Sequence, residues 1–225
     1  MDSVAAVLFD LDDTLCVSER GTDELLAAAF EATDVPACFG GEEYLARFHE
    51  FAEMGQPVAV GRKRCFAALA EERGRDPAEG EAVADVYSRL RDPTRVRPCP
   101  GAIETLDRLA DRYPLGLITN GGPEVQRPKL DTLDIADRFD VIVYAGYETP
   151  AKPDPAPFER ALGALDVPAA RAVFVGNSLE SDVAGGRAAG LTTVWTPPGD
   201  VEPPVEPEPD HTLAALPELE GVLIE

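Results

Sequence analysis

Apolar residues run almost unbroken over residues 4–9 and give way to Asp10-Leu11-Asp12-Asp13-Thr14. A continuous apolar run of that length is the pattern of a strand buried on both faces of a parallel sheet. Four further strand patterns occur at 115–119, 141–144, 172–176 and 192–195. Helical patterns separate them. Ile103, Leu106, Leu109 and Ala110 share one face, further helices are expected around 124–134 and 155–165, and another runs from near Asp182 to Gly190, a residue suited to a left-handed cap. Strands alternating with helices imply right-handed crossovers, so the pattern predicts an α/β doubly wound parallel sheet.

The stretch 18–96 follows a different rule. Val83, Val86, Tyr87 and Leu90 fall at i, i+3, i+4 and i+7, and Leu45, Phe48 and Phe51 recur every three residues. Both match amphipathic helices, and no strand pattern stands out before Pro98-Cys99-Pro100-Gly101. The expected organisation is a core of residues 1–17 and 97–225 with an all-helical insertion over 18–96. The Pro- and Glu-rich stretch 197–209 reads as a loop, because 213–224 still offers apolar residues to dock.

Charge changes the picture of the surface. The 225 residues carry 42 Asp and Glu against 20 Lys and Arg, a formal charge of -22, and only Lys63, Lys129 and Lys152 are lysines. A carboxylate surplus with so little lysine is the composition of a protein working in concentrated salt, where screening removes the self-repulsion. The same charge repels nucleic acid and anionic membrane, so neither is expected as a partner, and an anionic substrate would need a local positive centre. Cys16, Cys38, Cys65 and Cys99 show no zinc-like or Cys-x-x-Cys spacing and read as buried apolar residues of a reduced compartment. No signal-peptide pattern and no apolar run of the ~20 residues a membrane span requires is visible, which predicts a soluble, cytoplasmic protein.

The polar residues that interrupt the pattern all follow strands. Asp10 and Asp12 follow the first; if that strand continues through Asp12, the two carboxylates project to one side of the pleat. Thr119 and Asn120 end the second, Lys152 lies in the loop after the third, and Asn177, Ser178, Glu180 and Asp182 follow the fourth. Loops at the carboxyl edge of a doubly wound sheet converge on one crevice.

As an ordered set these segments closely resemble the haloacid dehalogenase superfamily of hydrolases. Asp10 to Thr14 match its Asp-x-Asp-x-Thr motif, Thr119 its strand-ending Thr or Ser, and Lys152-Pro153 its Lys ahead of Pro. Residues 176–186 match in part its acidic pair before a Gly-rich helix. The resemblance implies a Rossmann-like core, a helical cap formed by the insertion, and Mg2+-dependent hydrolysis of a small phosphorylated metabolite through an aspartyl phosphate on Asp10. Asp12 would be the general acid and base, and Thr119, with Asn120 and Gly121, would bind phosphoryl oxygens. Lys152 would neutralise charge, and Asp10, Asp12 (through its carbonyl), Asn177 and Asp182 would hold the metal, Glu180 being a further candidate. Asp12 favours phosphate esters, since the family's dehalogenases have no leaving alcohol to protonate. Asn177 departs from the family pattern, in which phosphatases carry Asp at that position. A phosphomutase, or a weakly catalytic binding or regulatory protein on the same scaffold, stay open as alternatives.

The charge reading predicts that the melting temperature falls steeply as salt is lowered from molar to about 0.1 M, over which the Debye length grows from roughly 3 to 10 Å. A thermal melt independent of salt over that range rejects it.

Overall fold

A computed structural model describes residues 3–199 and 205–224 of the chain. The chain divides into two compact units, one of residues 1–17 and 96–225 and one of residues 18–95.

The first unit opens with β1 (Ala6–Phe9). Its Val7 and Phe9 enter one hydrophobic cluster and its Ala6 and Leu8 another, so the strand is buried on both faces. Short strands β2 (Cys16–Ser18) and, on the chain's return, β3 (Val96–Pro98) form a two-stranded sheet.

Between them lie the helices of the second unit: α1 (Thr22–Thr33), α2 (Gly41–Arg47), α3 (Val58–Glu71) and α4 (Pro77–Leu90). Its core is aromatic, with Phe30, Phe39, Tyr44, Phe66 and Tyr87 meeting edge to face. Helix α4 starts where Asp76 accepts a hydrogen bond from the Ala78 N–H (2.9 Å) ahead of Pro77, a strong N-terminal signal. Gly80 lets α4 approach the backbone of α3 at Phe66, where a side chain would collide with the carbonyl. Val83 and Tyr87 are buried as their spacing predicts. The Leu45/Phe48/Phe51 helix does not form as expected: α2 stops at Arg47, a 3-10 turn spans Phe48–Glu50, and Leu45 is exposed. A strict three-residue repeat suits the 3-10 turn, and Tyr44 fills the core position instead.

The remainder alternates: α5 (Ala102–Ala110), β4 (Leu115–Asn120), α6 (Pro123–Leu133), β5 (Val141–Ala145), α7 (Ala156–Leu165), β6 (Ala172–Gly176), a π-helical turn (Leu179–Val183) continuing into α8 (Ala184–Ala188), β7 (Thr192–Trp195), β8 (His211–Thr212) and α9 (Leu219–Ile224). The sheet order is β5-β4-β1-β6-β7-β8, with every pair parallel. The doubly wound parallel sheet is therefore present. Because β1 lies between β4 and β6, the winding reverses at its carboxyl end, which is where such sheets open a crevice.

Leu213, Leu216, Leu219 and Leu223 dock onto the β1 core, as their apolar pattern predicts. Part of the 197–209 loop, residues 200–204, lies outside the described residues. Strand β8 has no counterpart in the sequence pattern. Its entry is held by Asp210, whose carboxylate accepts hydrogen bonds from the Thr193 N–H and hydroxyl (2.8 Å each). The four cysteines are free, and burial pushes the thiols of Cys65 and Cys99 up to about 11 and that of Cys16 higher still. Among the described residues, no helix is long and apolar enough to cross a membrane.

Candidate active site

Asp10 continues β1 by one ladder bond, its N–H donating to the Val175 carbonyl (2.9 Å). The chain then leaves the sheet. The Leu11 carbonyl accepts from the N–H groups of Leu15 and Cys16, and Asp13 adopts a left-handed conformation (φ 59°). Strand β1 therefore does not continue through Asp12, which lies in a tight turn, so the pleat does not set its direction relative to Asp10. Asp12 Oδ1 accepts from Lys129 Nζ (2.5 Å) and its Oδ2 from Gln126 Nε2 (2.9 Å), both on α6.

Lys152 organises the other half of the site. Its buried ammonium donates to Asp10 Oδ1 (2.7 Å), Asp182 Oδ1 (2.7 Å) and the Ile118 carbonyl (2.8 Å), and stands 5.2 Å from the Phe174 ring centre. All three ammonium donors are thus engaged. Asn120 holds the lysine's backbone at both ends: its Oδ1 accepts from the Lys152 N–H (2.9 Å), and its Nδ2 donates to the Lys152 carbonyl (3.1 Å).

One ammonium facing two carboxylates sets the electrostatics. Burial pushes the Asp10 carboxyl up to about 7; Lys152 opposes that shift, and the like charge of Asp182 adds to it. Burial alone would lower the Lys152 ammonium, but Asp10 and Asp182 outweigh it and push it up.

Asp182 reaches this point because its π-helical turn begins right after β6. Its Oδ2 accepts from the Ser178 N–H (3.0 Å), and Ser178 in turn caps the turn by accepting from the Ser181 N–H (3.2 Å). Gly176 is required here, since a Cβ would lie 2.5 Å from the Asp182 carboxyl carbon.

The remaining predicted residues divide. Thr119 is fully buried, and its Oγ1 accepts from Gln126 Nε2 (2.8 Å). Asn177 accepts from the Thr14 hydroxyl through Oδ1 (3.3 Å), joining the first and fourth segments. The Gly121 N–H donates to the Ala145 carbonyl (2.9 Å) and extends the β4–β5 ladder. The Asn120 side chain is likewise taken up by Lys152, and its carbonyl accepts from Gln126 Nε2 (3.2 Å), so of its polar groups only the backbone N–H is suited to a phosphoryl oxygen. Gln126 and Lys129 are site residues that the sequence pattern does not single out. The scarcity of lysine that marks Lys152 applies equally to Lys129, and was the available signal.

For a metal, the donors are all oxygens: the Asp10 and Asp182 carboxylates, the Asn177 amide and main-chain carbonyls. Among the described residues no three His, Cys, Asp or Glu side chains gather as a ready cluster, since Asp12 turns to α6 and Glu180 is exposed. Two buried carboxylates that share a single ammonium nevertheless leave an excess of negative charge. That fits Mg2+, which keeps several waters and takes one or two carboxylates together with substrate phosphate.

A family model described as haloacid dehalogenase-like hydrolase matches residues 4–190. The chain is 30% identical to a ribulose-1,5-bisphosphate 5-phosphatase of Halopiger xanaduensis, over 95% of this chain and 97% of that protein. It is 28% identical to the pyrimidine 5'-nucleotidase YjjG of Escherichia coli, over 96% of each. Among solved structures, the putative hydrolase YfnB of Bacillus subtilis, in a form bound to magnesium, superposes with a TM-score of 0.70 at 25% identity over 99% of both chains.

Replacing Lys152 by Met would leave Asp10 and Asp182 buried without their cation. Breaking a buried pair in this way typically costs about 3–5 kcal/mol. Urea unfolding at pH 7 should register that loss, and a change below about 1 kcal/mol contradicts the assigned charge network.

Proposed function

The chain belongs to the haloacid dehalogenase-like hydrolases, and from that premise we propose that it is a Mg2+-dependent phosphatase of a small phosphorylated metabolite, working through an aspartyl phosphate on Asp10. The observation that carries this reading is the second carboxylate. Asp12, whose side chain is 38% exposed, shares its amide donor Gln126 with Thr119. An acid therefore stands beside a hydroxyl able to bind a phosphoryl oxygen. Ester hydrolysis needs such an acid for its leaving alcohol, whereas displacement of a halide does not.

In this reading Asp12 enters the step protonated, and its pairing with Lys129 belongs to the ionised form left afterwards; the Asp10 carboxylate attacks phosphorus as the bond to the leaving oxygen breaks, and Asp12 gives that oxygen its proton. Lys152 holds Asp10 Oδ1. Oδ2 accepts no hydrogen bond among the described residues, and is the oxygen we assign to the attack. Asp12, now a carboxylate, then takes a proton from water, whose oxygen attacks the phosphorus and releases Asp10. The Thr119 hydroxyl and the Asn120 backbone bind the phosphoryl oxygens, and Lys152 offsets their charge. Asp10, the Asp12 carbonyl, Asn177 and Asp182 would hold Mg2+, which when bound supplies positive charge against the transferring phosphoryl group.

Support for a small phosphorylated substrate comes from the relatives, named for a sugar bisphosphate and for nucleotides. We assign substrate choice to the helical segment 18–96 as a cap, and a salt-rich cytoplasm to the whole on its net charge.

Asp10→Asn should abolish turnover and leave the fold intact, since the Asn oxygen can still accept from Lys152. Asp12→Asn should slow esters of poor leaving groups about 100- to 10,000-fold, the usual contribution of a positioned acid, and an activated aryl phosphate far less. Wild-type rates in the first variant, or equal slowing of both esters in the second, would sink the assignment.

Asn177 contributes no charge to the metal donors. Asn177→Asp should therefore lower the Mg2+ concentration for half-maximal activity, and Asp182→Asn should raise it sharply or abolish activity. Mg2+ titrations that are identical for both variants and wild type reject this donor set.

A further inference from the structure

We propose that Gln126 and Lys129 are positioning residues, a two-pronged clamp through which α6 fixes the orientation of Asp12 and of the Thr119 hydroxyl. The proposal rests on the phosphatase reading above. The two residues stand three apart on α6, so they face the same side, and both are buried. Each takes one oxygen of the same carboxylate: Lys129 takes Oδ1 at 2.5 Å and Gln126 takes Oδ2 at 2.9 Å. A buried ammonium is costly unless paired, and Asp12 is the acid that pairs it. Asp12 sits in a turn off the sheet, where a single contact would leave its carboxylate free to rotate; two donors from one rigid helix remove that freedom.

Gln126 also settles where the Thr119 proton goes. Its Nε2 lies 2.9 Å from Asp12 Oδ2, 3.2 Å from the Asn120 carbonyl and 2.8 Å from Thr119 Oγ1. A carboxylate and a carbonyl can only accept, so the amide nitrogen must be the end that faces them. That nitrogen has two hydrogens for its three neighbours and cannot itself accept, so the Thr119 O–H finds no acceptor in Gln126 Nε2 and is left to donate to another group, which in the proposed reaction is a phosphoryl oxygen. Two of the chain's three lysines thus face carboxylates of this site, Lys152 on Asp10 and Lys129 on Asp12.

The test uses the full chain in Mg2+ and molar salt, with p-nitrophenyl phosphate and the less activated phenyl phosphate as probes. Lys129→Met should lower kcat on phenyl phosphate by about tenfold or more, without exceeding the roughly 100- to 10,000-fold loss expected on removing the acid itself, and on p-nitrophenyl phosphate several-fold less, with KM little changed. Lys129→Arg should restore part of the loss. In an Asp12→Asn background the Lys129→Met change should add almost nothing, because residues acting as a unit are not additive. Equal slowing of both esters, or a full further loss in the Asp12→Asn background, overturns the clamp. If Lys129→Met does not fold, Gln126→Met carries the same comparison without removing a charge. A wild-type chain that hydrolyses neither ester rejects the phosphatase reading and the clamp with it; an active wild type whose variants behave like wild type rejects the clamp alone.

Discussion

The ammonium of Lys152 is the contact on which the site depends. It comes from the loop after β5 and joins Asp10 at the end of β1, the Ile118 carbonyl in β4 and Asp182 in the turn after β6. One buried cation therefore ties together four segments that the chain visits at widely separated points. Its removal would strand two carboxylates in a place where water cannot solvate them, so folding and the geometry of the site draw on the same interaction. The charge count around it also explains why a second cation fits. Two acids on one ammonium remain net negative, and burial makes that residual charge expensive.

Local shape makes this approach possible. Asn120 grips both backbone groups of Lys152, which aims the side chain inward, and Gly176 leaves the volume that the Asp182 carboxyl occupies. Strand β1, packed on both faces, supplies the platform from which Asp10 emerges. The chain as a whole carries -22, yet its lysines are concentrated where the carboxylates of the site need them. Lys129 and Lys152 offset the charge of the three carboxylates Asp10, Asp12 and Asp182 without reversing it, so an anionic substrate still requires a further positive centre in order to approach.

Elements long enough to show a period were legible beforehand. The runs at 115–119, 141–144, 172–176 and 192–195 became β4, β5, β6 and β7, and the helices between them fell within a few residues of their patterns. Strands β2, β3 and β8 were not, since two or three residues carry no period and exist as strands only through their partners. The Leu45/Phe48/Phe51 repeat misled for a related reason. Which residue of a short helix faces the core is decided by neighbours, and here Tyr44 packs against Phe66 and Tyr87 while Leu45 faces solvent.

By itself the sequence determined the sheet class and the order of the chemistry along it, because apolar runs specify buried strands and polar residues at their ends must lie at the sheet's edge. Tertiary structure alone decided which acid meets which lysine. Asp12 and Lys129 are 117 residues apart and Asp10 and Lys152 are 142 apart, separations at which no local rule operates. It also took the Gly121 N–H for the β4–β5 ladder and brought Gln126 onto both Asp12 and Thr119. Periodicity reports which side of an element is buried; only the packed sheet, by setting the distances between elements, selects the partners that bury charge together.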